Sequence, residues 1–196
     1  WIAKGIRAVC PRAQIRAIPM ADGGEGTMDV LCSKDGKIFR SQATDPLGKK
    51  ISARWGMTGR VETAVIEMAQ ASGLSLVPSS KRNPMITTSF GTGELIQKAL
   101  DRGCRKLILT LGGVATNDAG VGMAQALGYR FLDESGNEIP RGAVGLAILH
   151  RIDAKHADPR LKAARILAAC DVRNPLLGKL GSARVYGPQK GATPGM

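Results

Sequence analysis

Four short stretches carry side chains whose types and neighbours suit phosphoryl transfer: Asp22-Gly23-Gly24-Glu25-Gly26-Thr27, Thr116-Asn117-Asp118, Asp171, and Gln189-Lys190. A further glycine pair, Gly112-Gly113, stands just before the second. Glycine lets a backbone approach a ligand where a Cβ would clash. Amide groups at the start of a following helix can hold an anion. A carboxylate beside them can bind Mg2+ or take the proton of a hydroxyl, and a lysine neutralises phosphate charge. Phosphoryl transfer needs these parts, because positioning and electrostatics carry most of its catalysis. Each residue also has an ordinary explanation. Asp22 and Asp118 could cap helices. Gly112 and Gly113 could serve tight strand–helix packing, Glu67 could be a paired surface carboxylate, and Lys190 could be plain solvent-exposed charge. Neither G-x-x-x-x-G-K-[ST] nor G-x-G-x-x-G occurs in the chain, so these residues alone lead to an α/β protein with an anion or nucleotide site.

The elements that must position them follow from the patterning. Residues 1–9 read as a helix broken by Pro11, and 14–20 alternate as a strand does. A glycine-rich turn over 21–27 leads into a helix over 28–32. Residues 37–43 and 51–57 form an expected antiparallel pair around the turn Asp45-Pro46-Leu47-Gly48. An apolar strand over 63–68 runs into a short helix that Gly73 ends. Thr87, Thr88 and Ser89 offer N-caps to a helix over 93–100, closed by Gly103. Then come a strand over 106–111, a helix over 118–127, a strand and turn over 131–139, and a strand over 164–171. Strands alternating with helices imply a largely parallel sheet. Ligands sit beyond the C-terminal ends of such strands, where Asp22, Asp118 and Asp171 fall.

With 196 residues the chain makes one large domain or two small lobes. No apolar run approaches the length needed to cross a bilayer and no signal peptide opens the chain, so the cytoplasm is the expected compartment and no membrane partner is expected. The net charge of +12 admits a nucleic-acid partner, but basic residues such as Arg7, Arg54, Arg60, Arg102 and Arg130 are scattered and lack interleaved aromatics. A solvated basic surface is the better reading. Cys10, Cys32, Cys104 and Cys170 form no C-x-x-C pair, each sits in an apolar context, and they read as buried free thiols. The chain starts at Trp1 inside what looks like the second half of an amphipathic helix, and a piece of a longer protein is the expectation.

Taken in order, a set of stretches resembles the type 1 glycerate kinase family. They are 21–27, Asp45-Pro46-Leu47-Gly48, Ile66-Glu67-Met68-Ala69, Ala71-Ser72-Gly73, Arg82-Asn83-Pro84, Thr87-Thr88-Ser89, 91–96, Gly112-Gly113 with 115–118, Asp171 with Asn174-Pro175-Leu176, and 187–192. The resemblance implies a kinase that moves the γ-phosphoryl group of ATP to glycerate, giving 2-phosphoglycerate, with Mg2+ as cofactor. It implies a two-lobed α/β fold with a largely parallel or mixed sheet and flanking helices. Residues 1–45 would be a remnant of the lobe shared by the N- and C-terminal segments, and 46–196 mostly the middle lobe. In that reading Gly23, Gly24, Gly112 and Gly113 offer backbone donors, and Thr116 and Asn117 face the cleft. Asp118, or second to it Asp22, takes the hydroxyl proton. Asp171 and Glu25 hold Mg2+ or order its waters, and Arg82 or Lys190 neutralises the carboxylate or phosphoryl group. The family's Asp-Ser-(Phe or Tyr)-Lys motif near its start and its glycine-rich segment after the Gly-Pro-Gln-Lys-Gly loop are both lacking. Val114 stands where the family usually has Ser, and Ala119 where it often has Gly. A catalytically silent ligand-binding piece and, less favoured, a basic nucleic-acid binder are the alternatives, and a homo-oligomer is possible.

Overall fold

The computed structural model describes residues 1–59 and 63–196; Arg60 lies outside them. A mixed five-stranded sheet organises the chain, with strand order β1-β2-β3-β4-β7. Strands β1 (Lys37–Thr44) and β2 (Lys50–Thr58) form the expected antiparallel hairpin. The Asp45 carboxylate closes its turn by accepting the amides of Leu47 and Lys49 at 2.9 and 2.8 Å. Strand β3 (Thr63–Glu67) runs antiparallel to β2 and parallel to β4 (Lys106–Thr110), which is parallel to β7 (Arg165–Ala169). A second sheet pairs β5 (Arg130–Leu132) with β6 (Arg151–Asp153).

Residues 65 and 66 point to opposite faces of β3, as the two-residue period of a strand requires. Ile66 joins a core with Trp55, Leu107 and the buried stripe Leu95, Ile96, Ala99 and Leu100 of helix α4 (Phe90–Asp101). That spacing puts the four on one side of the helix. Val65 packs on the other face against Met28 and Cys32, at helix α2 (Thr27–Leu31). Each large apolar side chain buried this way contributes roughly 1.5–3 kcal/mol. Helix α1 (Ile2–Val9) opens the chain, α3 (Ala69–Ser72) follows β3, α5 (Val121–Ala126) follows β4, and α6 (Ser182–Tyr186) lies near the end of the chain.

Three expectations change. Cys32 and Cys104 are buried, but Cys10 and Cys170 are exposed, because an apolar local context buries a side chain only where another element packs over it. Residues 14–20 form no ladder, and Ile18 and Met20 are exposed, because alternation alone makes no strand without a neighbouring edge to bond. The helix expected from 118 begins only at Val121, since Ala119 and Gly120 have φ of 52° and 75° and break the right-handed path. At the sheet's border, β7 has Ile166 43% and Leu167 45% exposed, and among the described residues no strand pairs with its outer edge. No helix of the described residues is long and apolar enough to cross a membrane.

Candidate functional site

The C-terminal ends of the parallel strands β3, β4 and β7 lie at one end of the sheet, and the Gly23-Gly24 turn passes close to those of β4 and β7. Gly112 donates its amide to the Gly23 carbonyl at 3.3 Å, and Leu111 donates to Ala169 at 3.2 Å. A Cβ on Gly112 would stand 2.7 Å from the Gly24 Cα, so only glycine admits this crossing. The fold brings these two glycine pairs together, and the amides of Gly23, Gly24 and Gly112 are engaged. Gly24 donates to Asp22 Oδ1 at 2.9 Å, and Gly23 donates to Thr27 Oγ1 at 3.2 Å. With these amides so engaged, the glycines allow the turn to pass close over the strand ends.

Glu67, at the end of β3, is 1% exposed and is no surface carboxylate. Its Oε1 accepts the Met28 amide at 2.8 Å and its Oε2 accepts Gln70 Nε2 at 3.2 Å. Thr110, its register partner on β4, buries a hydroxyl that has no partner among the described residues. A charged residue closing an apolar strand was the signal for Glu67 in the sequence; nothing in the sequence pointed to Thr110.

Asp118 is 2% exposed. Its Oδ2 accepts the Ser89 amide and hydroxyl, each at 2.8 Å, and the Gly122 amide at 3.2 Å, while Oδ1 accepts the Gly120 amide at 3.2 Å. Ser89 Oγ in turn accepts the Met123 amide at 2.9 Å. The carboxylate thus holds the starts of α4 and α5 together, which is the capping use of Asp118. Ser89 stands at the N-cap position of α4 but makes no capping bond of its own, because its hydroxyl serves this junction.

Lys190 also departs from its exposed alternative. It is 8% exposed, and its Nζ donates to the Thr116 carbonyl at 2.7 Å. No carboxylate lies within 4.0 Å of it among the described residues. Burial pushes its ammonium below the usual lysine range, and the charge of Asp118 partly opposes that. Arg82 braces the same loop, donating from Nη1 to the Gln189 carbonyl at 3.4 Å.

A cavity of about 390 Å3 opens between these parts, lined by Gly112, Gly113, Asp171, Tyr186, Gln189 and Lys190 among others. Glu25 approaches Gly113 from the other side, its Oε1 3.4 Å from where a Cβ of that residue would be. Asp171 lines the cavity and Glu25 lies beside Gly113, both exposed, and no group of three potential metal ligands occurs among the described residues. Asn117 does not reach this cavity. It lines a neighbouring one of about 640 Å3 with Arg184, Pro188 and Thr193, beyond the Pro188–Lys190 turn. A buried ammonium with no carboxylate within 4.0 Å among the described residues, beside a cavity that Asp171 also lines, suits a phosphorylated or carboxylate ligand that brings its own negative charge.

Comparison with known proteins gives the same direction. The model of the Glycerate kinase family matches residues 1–196. Glycerate 2-kinase of Escherichia coli (strain K12) is 51% identical over 196 residues, which is 100% of this chain and 51% of that protein. Glycerate kinase of Bacillus subtilis (strain 168) is 53% identical over 196 residues, again 100% of this chain and 51% of that protein. A solved structure from Salmonella typhimurium LT2 that carries the glycerate kinase 2 name superposes with a TM-score of 0.88 at 50% identity, covering 100% of this chain and 53% of that one. The chain spans about half the length of the curated relatives it matches.

Proposed function

The chain belongs to the glycerate kinase family, and on that footing we propose that it builds the substrate cleft of a kinase that moves the γ-phosphoryl group of ATP to glycerate, giving 2-phosphoglycerate. The observation that carries this reading is Lys190, a buried ammonium docked on the Thr116 carbonyl with no carboxylate within 4.0 Å among the described residues, on the cavity that Gly112 and Gly113 also line. An anion entering there gains a charge-assisted hydrogen bond and relieves an uncompensated buried charge.

Asp22 suits the role of proton acceptor better than Asp118. Asp22 is exposed beside the turn and gives one oxygen to the Gly24 amide, whereas both oxygens of Asp118 are engaged by buried donors. Arg82 supports the loop that carries Lys190 and adds positive charge at its rim. Thr116 contributes through its carbonyl, which orients the lysine, and Asn117 lies on the adjoining cavity, where it can meet the far end of a larger ligand. Mg2+ is usually held by one or two carboxylates together with substrate phosphates, and Asp171 on the cavity wall and Glu25 beside Gly113 are the residues that would hold it. When bound it would neutralise charge on the phosphate oxygens. The cytoplasm is the proposed compartment and small molecules the proposed partners. Neither nucleic acid nor membrane is a proposed partner, while self-association stays open to a measurement of mass in solution.

ADP release from Mg-ATP, measured with and without D-glycerate, tests the proposal. Glycerate-dependent release is the expected result. Stabilisation against heat by glycerate without ADP release would favour the second reading, a ligand-binding protein without turnover. Neither effect would overturn both.

A further inference from the structure

We infer that Glu67 is a positioning residue, whose carboxylate fixes the Gly23-Gly24 turn over the strand ends by holding the first turn of α2. A carboxylate buried to 1% exposure is costly to keep unless its oxygens are bonded. No lysine or arginine lies within 4.0 Å of Glu67 among the described residues, so charge pairing does not explain it. Its oxygens go instead to the Met28 amide and to Gln70.

Helix α2 has five residues, too few to be stable alone. Its N-cap is Gly26, in a left-handed conformation and with no side chain to accept an amide. Glu67 supplies that acceptor from 39 positions further along the chain. From the first turn of α2 a run of bonds continues into the site. Thr27 Oγ1 accepts the Gly23 amide and donates to the Gly24 carbonyl at 2.8 Å, and the Gly23 carbonyl accepts the Gly112 amide. The turn is thereby tied at both ends to neighbouring parallel strands, through Glu67 on β3 and through Gly112 just after β4. Losing the β3 tie leaves its height above Gly112 to a single amide bond. The inference rests on the reading of this turn as a wall of the substrate cleft.

Amide hydrogen exchange in the whole chain tests it, with α4 as internal reference and with D-glycerate affinity measured in parallel by titration. Glu67→Gln keeps the shape and an acceptor oxygen. Glu67→Leu removes the acceptor, and Glu67→Asp keeps the charge but falls short of Met28. With Gln, exchange at Met28 and Gly112 is expected to stay near the unsubstituted rate. With Leu, and independently with Asp should Leu fail to fold, both amides are expected to exchange about tenfold faster while α4 keeps its protection. That is the loss of roughly one charge-assisted hydrogen bond. Glycerate affinity is expected to fall with the same two variants and to survive in Gln. Unchanged exchange at Gly112, or equal loss of protection in α4, would overturn the positioning role. Should the unsubstituted chain not bind glycerate, the reading of the cleft fails by itself, and the exchange rates still decide the role of Glu67.

Discussion

The Asp118 carboxylate takes both the amide and the hydroxyl of Ser89, each at 2.8 Å, and so joins the first turns of α4 and α5 through one buried charge. Asp118→Ala leaves those donors unsatisfied and is expected to cost about 3 kcal/mol of stability, read as a shift of the denaturant midpoint. Asp118→Asn turns an amide toward donors that need an acceptor and is expected to lose part of that. A base at Asp118 would show otherwise: Asp118→Asn would keep its stability and lose roughly 10²–10⁴-fold in turnover.

Lys190→Met keeps most of the stem's packing and removes the ammonium. Inorganic phosphate and D-glycerate are expected to bind about tenfold to a hundredfold more weakly, with thermal stability unchanged or raised, because an uncompensated buried charge has gone. Calorimetric titration beside a thermal melt separates the two effects.

Lys190 also sets opposite pH trends for binding and folding. Burial holds its ammonium below the free-lysine value of 10.5. An anion binds fully while the lysine is charged, so affinity is expected to fall as pH rises through the lowered value, earlier than for an exposed lysine. The folded state gives up this proton before the unfolded state does, so in the same window the unfolded chain holds more protons and stability rises with pH. Melting temperatures across alkaline pH, with and without phosphate, are expected to converge. In Lys190→Met the contribution of this group to both slopes should vanish.

Ala119 carries φ of 52°, a left-handed conformation that costs a residue with a Cβ roughly 1–2 kcal/mol. Ala119→Gly removes that cost and gives back part of it as unfolded-chain entropy. A net gain of about 0.5 kcal/mol in the denaturant midpoint is expected. A loss would mean that the methyl group packs better than its exposed position implies.

How much of this could be read in the sequence depends on the range of the forces involved. The hairpin around Asp45, the apolar run of β3, the stripe on α4 and the glycine pairs at strand ends all follow from local periodicity and turn chemistry, and the structure holds them. What local pattern cannot show is where a side chain's partner lies. Glu67 looked like surface charge because Met28 stands 39 positions away. An exposed Lys190 stayed open as the ordinary alternative because Thr116 is 74 positions away. Asp118 was open to two uses until Ser89 came beside it. Residues 14–20 have the alternation of a strand, yet strand formation needs a neighbour that sequence alone does not supply.

The border strand β7 has a material consequence. Among the described residues no strand pairs with its outer edge, and Ile166 and Leu167 lie open to water on opposite faces. Such an edge is a template on which another extended chain can grow. A net charge of +12 keeps identical molecules apart in dilute buffer. At physiological salt that repulsion reaches only about 8 Å. Ionic strength thus becomes the colloidal control: the same molecule that stays dispersed at low salt is prone to cohere, edge to edge, as salt is added.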